Sequence, residues 1–181
     1  MATWIALLRG INVLGRNRVS MEALSAALER GGLARVRTYI QSGNVVFDCI
    51  GGSRAALARR IARAVSDGHG FLPRVVVLSA GDLERAARRN PFPAAEALPK
   101  SLHLYFLAAA ARGVDLDPLH RVSRGSEAFE LRGRVLYLHT PEGFADSKVP
   151  GRIERALGVE ATARNWRTVT QLIALARGGA G

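Results

Sequence analysis

"VRTYIQSGNVVFD", residues 36–48, decides how the first half of this chain is read. Val36, Thr38 and Ile40 fall on one face of an alternating run, and Arg37, Tyr39 and Gln41 fall on the other. That is the period of a strand. Ser42, Gly43 and Asn44 supply turn chemistry, and "VVFD" returns as the partner strand of a hairpin. Upstream, "TWIALL" (3–8) is an uninterrupted apolar run, expected as a strand buried on both faces. Ser20 is placed as an N-cap, with Glu22 in the first turn, where the helix dipole favours it. Met21, Leu24 and Leu28 then recur at helical spacing until Gly31 and Gly32. Downstream, a helix is expected from near Ser53, with Leu57, Ile61, Ala64 and Val65 inward and Arg54, Arg59, Arg60 and Arg63 outward. "RVVVLS" (74–79) closes the series as a strand. The order is β-α-β-β-α-β, that of a ferredoxin-like plait.

Ser79 and Asp82 have the spacing of a capping box for a short helix. "NPFPAAEALPK" (90–100) then breaks all periodicity. Beyond it the order repeats. "SLHLYFLA" is a strand and "DLDPLHRV" a short helix or turn. "EAFELRG" and "RVLYLHT" form a hairpin about Arg132 and Gly133. "VPGRIERALG" is a helix, "VEATARN" a strand, and Val169, Leu172, Ile173 and Ala176 share a face of a last helix. The expected fold class is α+β: two tandem ferredoxin-like plaits packed together, with an extra C-terminal helix. The expected domains are a first module over 1–90, a proline-rich linker over 91–100 and a second module over 101–181. No residue-level repeat accompanies this repetition of elements.

The chain has 181 residues, 48% of them apolar, which excludes global disorder and suffices for one medium domain or two small modules. The longest apolar run, "SLHLYFLAAAA", falls short of the roughly 18 residues needed for a membrane span and contains His103. No membrane association is expected, and no signal peptide. The single cysteine, Cys49, excludes an internal disulfide and points to the cytoplasm. The net charge of +11 has two readings of equal weight: an acidic partner such as nucleic acid, or a GC-rich coding sequence. Of the 26 basic residues only Lys100 and Lys148 are lysines, which suits the second. The excess is concentrated in residues 1–91, with 14 basic and 6 acidic side chains.

Five strings, "IALLRGINV", "RTYIQSGNVVF", "NPFP", "DSK" and "ATARNWRTV", occur in one order along nearly the whole chain. As a set they resemble the bacterial family catalogued as domain of unknown function 1697. The resemblance implies a two-module ferredoxin-like α+β fold and carries no activity with it. After "GINV" the family tends to have glycine and lysine, whereas Leu14 and Arg16 stand here.

The chemistry-bearing residues concentrate in three places. The first is the loop after the first strand. Gly10 and Gly15 followed by Arg16 are a near miss to a phosphate-binding P-loop. Arg16 replaces the lysine and Asn17 the magnesium-binding hydroxyl, so a P-loop nucleotidase is rejected. What remains is a glycine-containing loop before a helix, able to point backbone N–H groups at an anion. Arg9, Arg16 and Arg18 add fork-shaped donors. The second is "YIQSGN", where turn geometry accounts for Gly43 and Asn44 but not for Tyr39 and Gln41 beside Arg37. Those three belong either to an open sheet face that stacks bases or to a core or interface, and the missing RNP strings favour the latter. The third is "ARNWRTV", where Trp166 is a packing staple with Asn165 or Thr168 as cap, or else Arg164, Asn165 and Trp166 face a shared cleft with Lys148.

The expected function is binding of a phosphate-bearing ligand, either a nucleotide or a short single-stranded nucleic acid. Arg9, Arg16, Lys148 and Arg164 would supply charge. Asn12, Asn17, Gln41, Ser42, Asn44 and Asn165 would supply hydrogen bonds, with Tyr39 and Trp166 beside them. Two alternatives stand against this. One is an enzyme acting on a small anionic metabolite through Lys148, Tyr39 or a histidine. The other is a purely structural role for the polar strings, as buried networks tying the plaits together. His69, His103, His120 and His139 show no metal spacing, so neither a metal nor a cofactor is expected. No oligomeric state follows from the sequence.

Overall fold

The computed structural model describes residues 1–13 and 15–178. Among them the chain is a mixed α+β protein with two four-stranded antiparallel sheets, six α-helices and two short 3-10 helices. It divides into two compact units, one of Met1–Glu84 with the residues from Gln171 onward, the other of Arg85–Thr170.

In the first unit the order is β1 (Ala2–Arg9), α1 (Met21–Arg30), β2 (Ala34–Tyr39), β3 (Asn44–Cys49), α2 (Arg54–His69), β4 (Arg74–Ser79) and the start of α3 (Ala80–Arg88). The sheet order is β2-β3-β1-β4. Its core forms because alternate strand residues Ala6, Leu8, Val45, Phe47 and Val77 meet the apolar stripes of α1 and α2, with Leu24, Leu28, Leu57, Ile61 and Val65. Both helices start where a serine hydroxyl accepts an orphan N–H: Ser20 from Ala23 (3.0 Å) and Ser53 from Ala56 (3.2 Å). Ser79 and Asp82 form the reciprocal cap of α3, each side chain accepting the other's backbone N–H at 3.1 Å.

The other face of this sheet is not open. Ile5, Leu7 and Val46 have no exposure. On β2, Arg37 donates to the Leu175 carbonyl (2.6 Å) of the last helix, α6 (Trp166–Ala176). Tyr39 is half-buried on the same strand. A bare sheet face is therefore not what this unit presents, and Arg37 on it is tied to α6.

The second unit holds β5 (Leu102–Leu107), α4 (Asp117–His120), β6 (Ala128–Arg132), β7 (Val135–His139), α5 (Ile153–Leu157) and β8 (Ala161–Asn165), with sheet order β6-β7-β5-β8. Tyr105, Leu107, Leu136, Leu138, Leu119, Val149, Ile153 and Leu157 make its core. The proline-rich segment 91–100 lies inside this unit. It contains a 3-10 helix over Pro93–Ala97, held from upstream by Asn90, which donates to Glu96 (2.8 Å) and accepts from the Phe92 N–H (3.0 Å). Prolines fix local φ, and say nothing of which long-range contacts a segment makes. By those contacts the two units part within α3 and again within α6.

Asp48 is the buried charge of the first unit, 1% exposed. Burial pushes its carboxyl up, but a hydrogen bond from the Thr3 hydroxyl (2.7 Å), the Arg35 guanidinium bonded to it and the charge of Arg37 outweigh that and hold it below the usual carboxylate range. A depressed folded pKa contributes stability that is complete above the unfolded value of about 3.9 and is lost as pH falls through the folded value. Unfolding by urea, measured at pH 7 and near pH 3, should show the wild-type chain losing stability on acidification. Asp48→Asn should lower stability at pH 7 and weaken that acid dependence.

Candidate functional site

At the end of β1 the chain turns through residues that require left-handed backbone. Gly10 sits at φ +82°, and Asn12 and Asn17, which are not glycines, at +51° and +52°. Asparagine tolerates this region because its short amide bonds locally. Here both amides do so. Asn12 Nδ2 donates to the Val19 and Gln41 carbonyls, each at 2.9 Å, and its Oδ1 accepts the Val19 N–H at 2.8 Å. Asn17 Nδ2 donates to the Gly10 carbonyl at 2.7 Å, while the Asn12 N–H donates to the Asn17 carbonyl at 3.0 Å. The loop is thus closed on itself at its neck. Leu14, where the family pattern favours glycine, lies outside the described residues.

The turn between β2 and β3 packs under this loop. The Leu8 N–H donates to the Gly43 carbonyl at 2.8 Å. A Cβ on Gly43 would stand 2.8 Å from Leu8 Cβ and 2.9 Å from Ile11 Cδ1, at φ +77°, so no other residue fits without displacing β1. Asn44 is fully buried and donates to the Tyr39 carbonyl (3.1 Å) and the Ser42 hydroxyl (2.8 Å). The strings "LRGIN" and "YIQSGN" are therefore one structure, joined through Asn12, Gln41 and Gly43.

Arginines are what this structure presents outward. Arg9 and Arg74 are Cα partners across the β1–β4 pair, both exposed. Like charges directly opposite on a sheet repel. The two line an open pocket of about 300 Å³ with Gly10, Asn17, Phe71, Leu72 and Pro73. Leu72 is 71% exposed, and Phe71 half-buried. Arg16 and Arg18 are exposed on the same loop. Sequence reasoning finds Arg9, Arg16 and Asn17 but misses Arg74, which becomes a neighbour only through the antiparallel register of β1 and β4.

Four expected site residues belong to the second unit. Lys148 is exposed and makes no side-chain bond among the described residues. Arg164 lies on β8, where burial pulls its guanidinium down to about 10, and it donates to the Ala163 carbonyl at 2.7 Å. Asn165 caps α6, its Oδ1 accepting the Thr168 N–H at 2.9 Å, and Trp166, 8% exposed, opens that helix. A cap and a packed first-turn aromatic account for Asn165 and Trp166. Among the histidines, His103 stacks on Phe144 with centroids 3.8 Å apart, and burial pulls its pKa to about 4, so it is neutral at pH 7.

Fold and site together describe an α+β protein whose polar strings build a closed loop and present arginines from it. Its sequence places it with other chains. The model of the family described as "Protein of unknown function (DUF1697)" matches residues 1–137, and the chain belongs to that family. The conserved bacterial protein SP0830 from Streptococcus pneumoniae has a similar structure, with TM-score 0.65 and 22% sequence identity, over 97% of this chain and 98% of that one. At that identity the likeness is one of fold. No curated protein matches the chain. No helix among the described residues is long and apolar enough to cross a membrane.

Asn12 is the residue on which the loop closure depends. Asn12→Ala leaves the Val19 N–H and two carbonyls without their partner and places alanine at positive φ. A loss of about 1–3 kcal/mol is expected in urea unfolding. An unchanged midpoint would show that the loop is not held by this amide.

Proposed function

We propose that the chain binds a phosphate-bearing ligand in the pocket beside the β1–α1 loop, and that each unit is a ferredoxin-like plait serving as the scaffold. The plait reading is supported by the two sheet orders, β2-β3-β1-β4 and β6-β7-β5-β8, in each of which a helical crossover links each central strand to an edge strand. The observation that carries the binding reading is Arg9 facing Arg74 at the rim of one pocket. Two arginines at paired Cα positions on one pocket rim bring two planar forks, whose shape matches phosphate oxygens. The neck closed by Asn12 and Asn17 keeps the loop in place before any ligand arrives, which lowers the ordering cost of binding.

Of the two ligand forms expected from sequence, a nucleotide suits this pocket better than a strand. A volume of about 300 Å³ is at the small end for a single bound molecule. Phe71 and Leu72 offer an apolar wall next to the cations, against which a base or sugar would lie. Arg9, Arg16, Arg74 and Asn17 are the contacts in this reading. Asn12, Gln41, Ser42 and Asn44 hold the loop and turn that carry them.

Calorimetric titration with a nucleoside diphosphate at low salt tests this. Arg9→Ala and Arg74→Ala should each weaken binding by about tenfold or more, since a hydrogen bond to a charged group contributes about 1.5–3 kcal/mol. A thermal melt of each variant, run alongside, separates lost affinity from lost stability. Equal affinity in wild type and both variants would sink the assignment. Binding of a single-stranded oligonucleotide with a salt slope near −0.7 per contacted phosphate would favour the strand instead.

A further inference from the structure

The second unit has a groove that none of the sequence motifs touches. Its volume is about 760 Å³, and it lies between the segment leading into α4 and the chain through the Pro150–Arg152 3-10 helix and α5. Arg112 and Arg121 line it from the first wall, Arg152 and Arg155 from the second. All four are exposed, and none of their guanidiniums has a hydrogen bond or ion pair among the described residues. Other arginines of the same unit are engaged: Arg124 with Glu142 (3.3 Å), Arg132 with Glu130 (2.6 Å), Arg134 with the Leu107 carbonyl (3.0 Å). The carboxylate on the wall, Asp115, accepts from the Asp117 N–H at 2.9 Å and pairs with none of the four.

We propose that this groove is a binding site for condensed phosphate, a run of P–O–P-linked phosphoryl groups, separate from the pocket at the β1–α1 loop. Arg152 ends the 3-10 helix and Arg155 follows three residues later in α5, both on the groove's second wall. Facing Arg112 and Arg121 across the groove, they make a concentration of positive charge that one compact, multiply charged anion neutralises. Guanidinium forks bind phosphate oxygens in pairs. The rest of the lining is Pro118, Ala156, Leu157 and glycine, together with Asp115. It contains no aromatic ring to stack a base and no amide to read a base edge. A phosphodiester strand brings a single charge per nucleotide, spread along its length, and leaves most of this charge unmet. Linked phosphates bring several charges within one groove. The source is either inorganic polyphosphate or the phosphate tail of a nucleoside triphosphate, since the walls contact only what the two have in common.

The test uses the full chain and inorganic tripolyphosphate as probe, titrated at low and moderate salt. The paired substitution of Arg152→Ala and Arg155→Ala should lower affinity at least tenfold. Gly151→Glu is the second variant. No atom lies within 4 Å of where a Cβ on Gly151 would stand, and its φ is not left-handed, so a carboxylate enters the groove without a clash. It should weaken binding as much while the melting temperature stays put. Arg9→Ala with Arg74→Ala should remove only the first pocket's share of tripolyphosphate binding and leave the share lost in the groove variants, which separates the groove from the other pocket. Adenosine triphosphate competing as well as tripolyphosphate identifies the nucleotide tail as an adequate source; failure to compete identifies free polyphosphate. Unchanged tripolyphosphate affinity in both groove variants would overturn the proposal. So would an oligonucleotide whose binding depends on these arginines when that of tripolyphosphate does not.

Discussion

Gly43 passes so close to β1 that a single Cβ there would meet both Leu8 and Ile11. This approach holds the β2–β3 turn beneath the end of β1. It also brings the Gln41 carbonyl to the Asn12 amide, which in turn fixes the course of the chain to Val19 and α1. The register of β1 follows, from Leu7 opposite Asn44 on one side to Arg9 opposite Arg74 on the other. An amide network of this kind is costly if half satisfied and rigid when complete. Asn44, with no exposure and two donated bonds, holds the neighbouring turn. The amides thus serve the architecture, and the loop they hold carries arginines at the surface.

Arginine plays three different roles in this chain. Some are internal ties, as Arg37 to the Leu175 carbonyl. Some pair with carboxylates, as Arg54 with Asp82 and Arg177 with Glu84. Others gather at open concavities, one beside the β1–α1 loop and one beside α5. A net charge of +11 read from composition averages over all three. The four arginines of the α5 groove have no offsetting partner among the described residues, whereas a guanidinium set against a carboxylate has its charge offset locally. Composition counts the arginines, and says nothing of which of them converge on concavities.

Much of the fold is legible in the sequence because its signals are local. Strand alternation, the helical spacing of Leu57, Ile61 and Val65, and the serine caps at Ser20 and Ser53 each depend on a few neighbouring residues. The proline-rich segment reports a local break of the same kind, while the two compact units are defined by contacts made at long range. In the site, Arg9, Arg16 and Asn17 stand out by their density in one loop. Arg74 and the four arginines of the α5 groove do not, because the residues that complete each concavity come from distant parts of the chain. The string "ARNW" is conspicuous in composition, and in the structure its asparagine and tryptophan start a helix.

By itself the sequence determined which segments are strands and which are helices, where two of the longer helices start, and that the β1–α1 loop is dense in glycine, asparagine and arginine. These are consequences of sterics and of bonds within a few residues. Only the tertiary structure decided which polar side chains are engaged inside and which are left at the surface. That choice is made by strand register and by what packs on each sheet face. Cross-strand partners such as Arg9 and Arg74 are 65 positions apart in the chain, and nothing local marks them as neighbours.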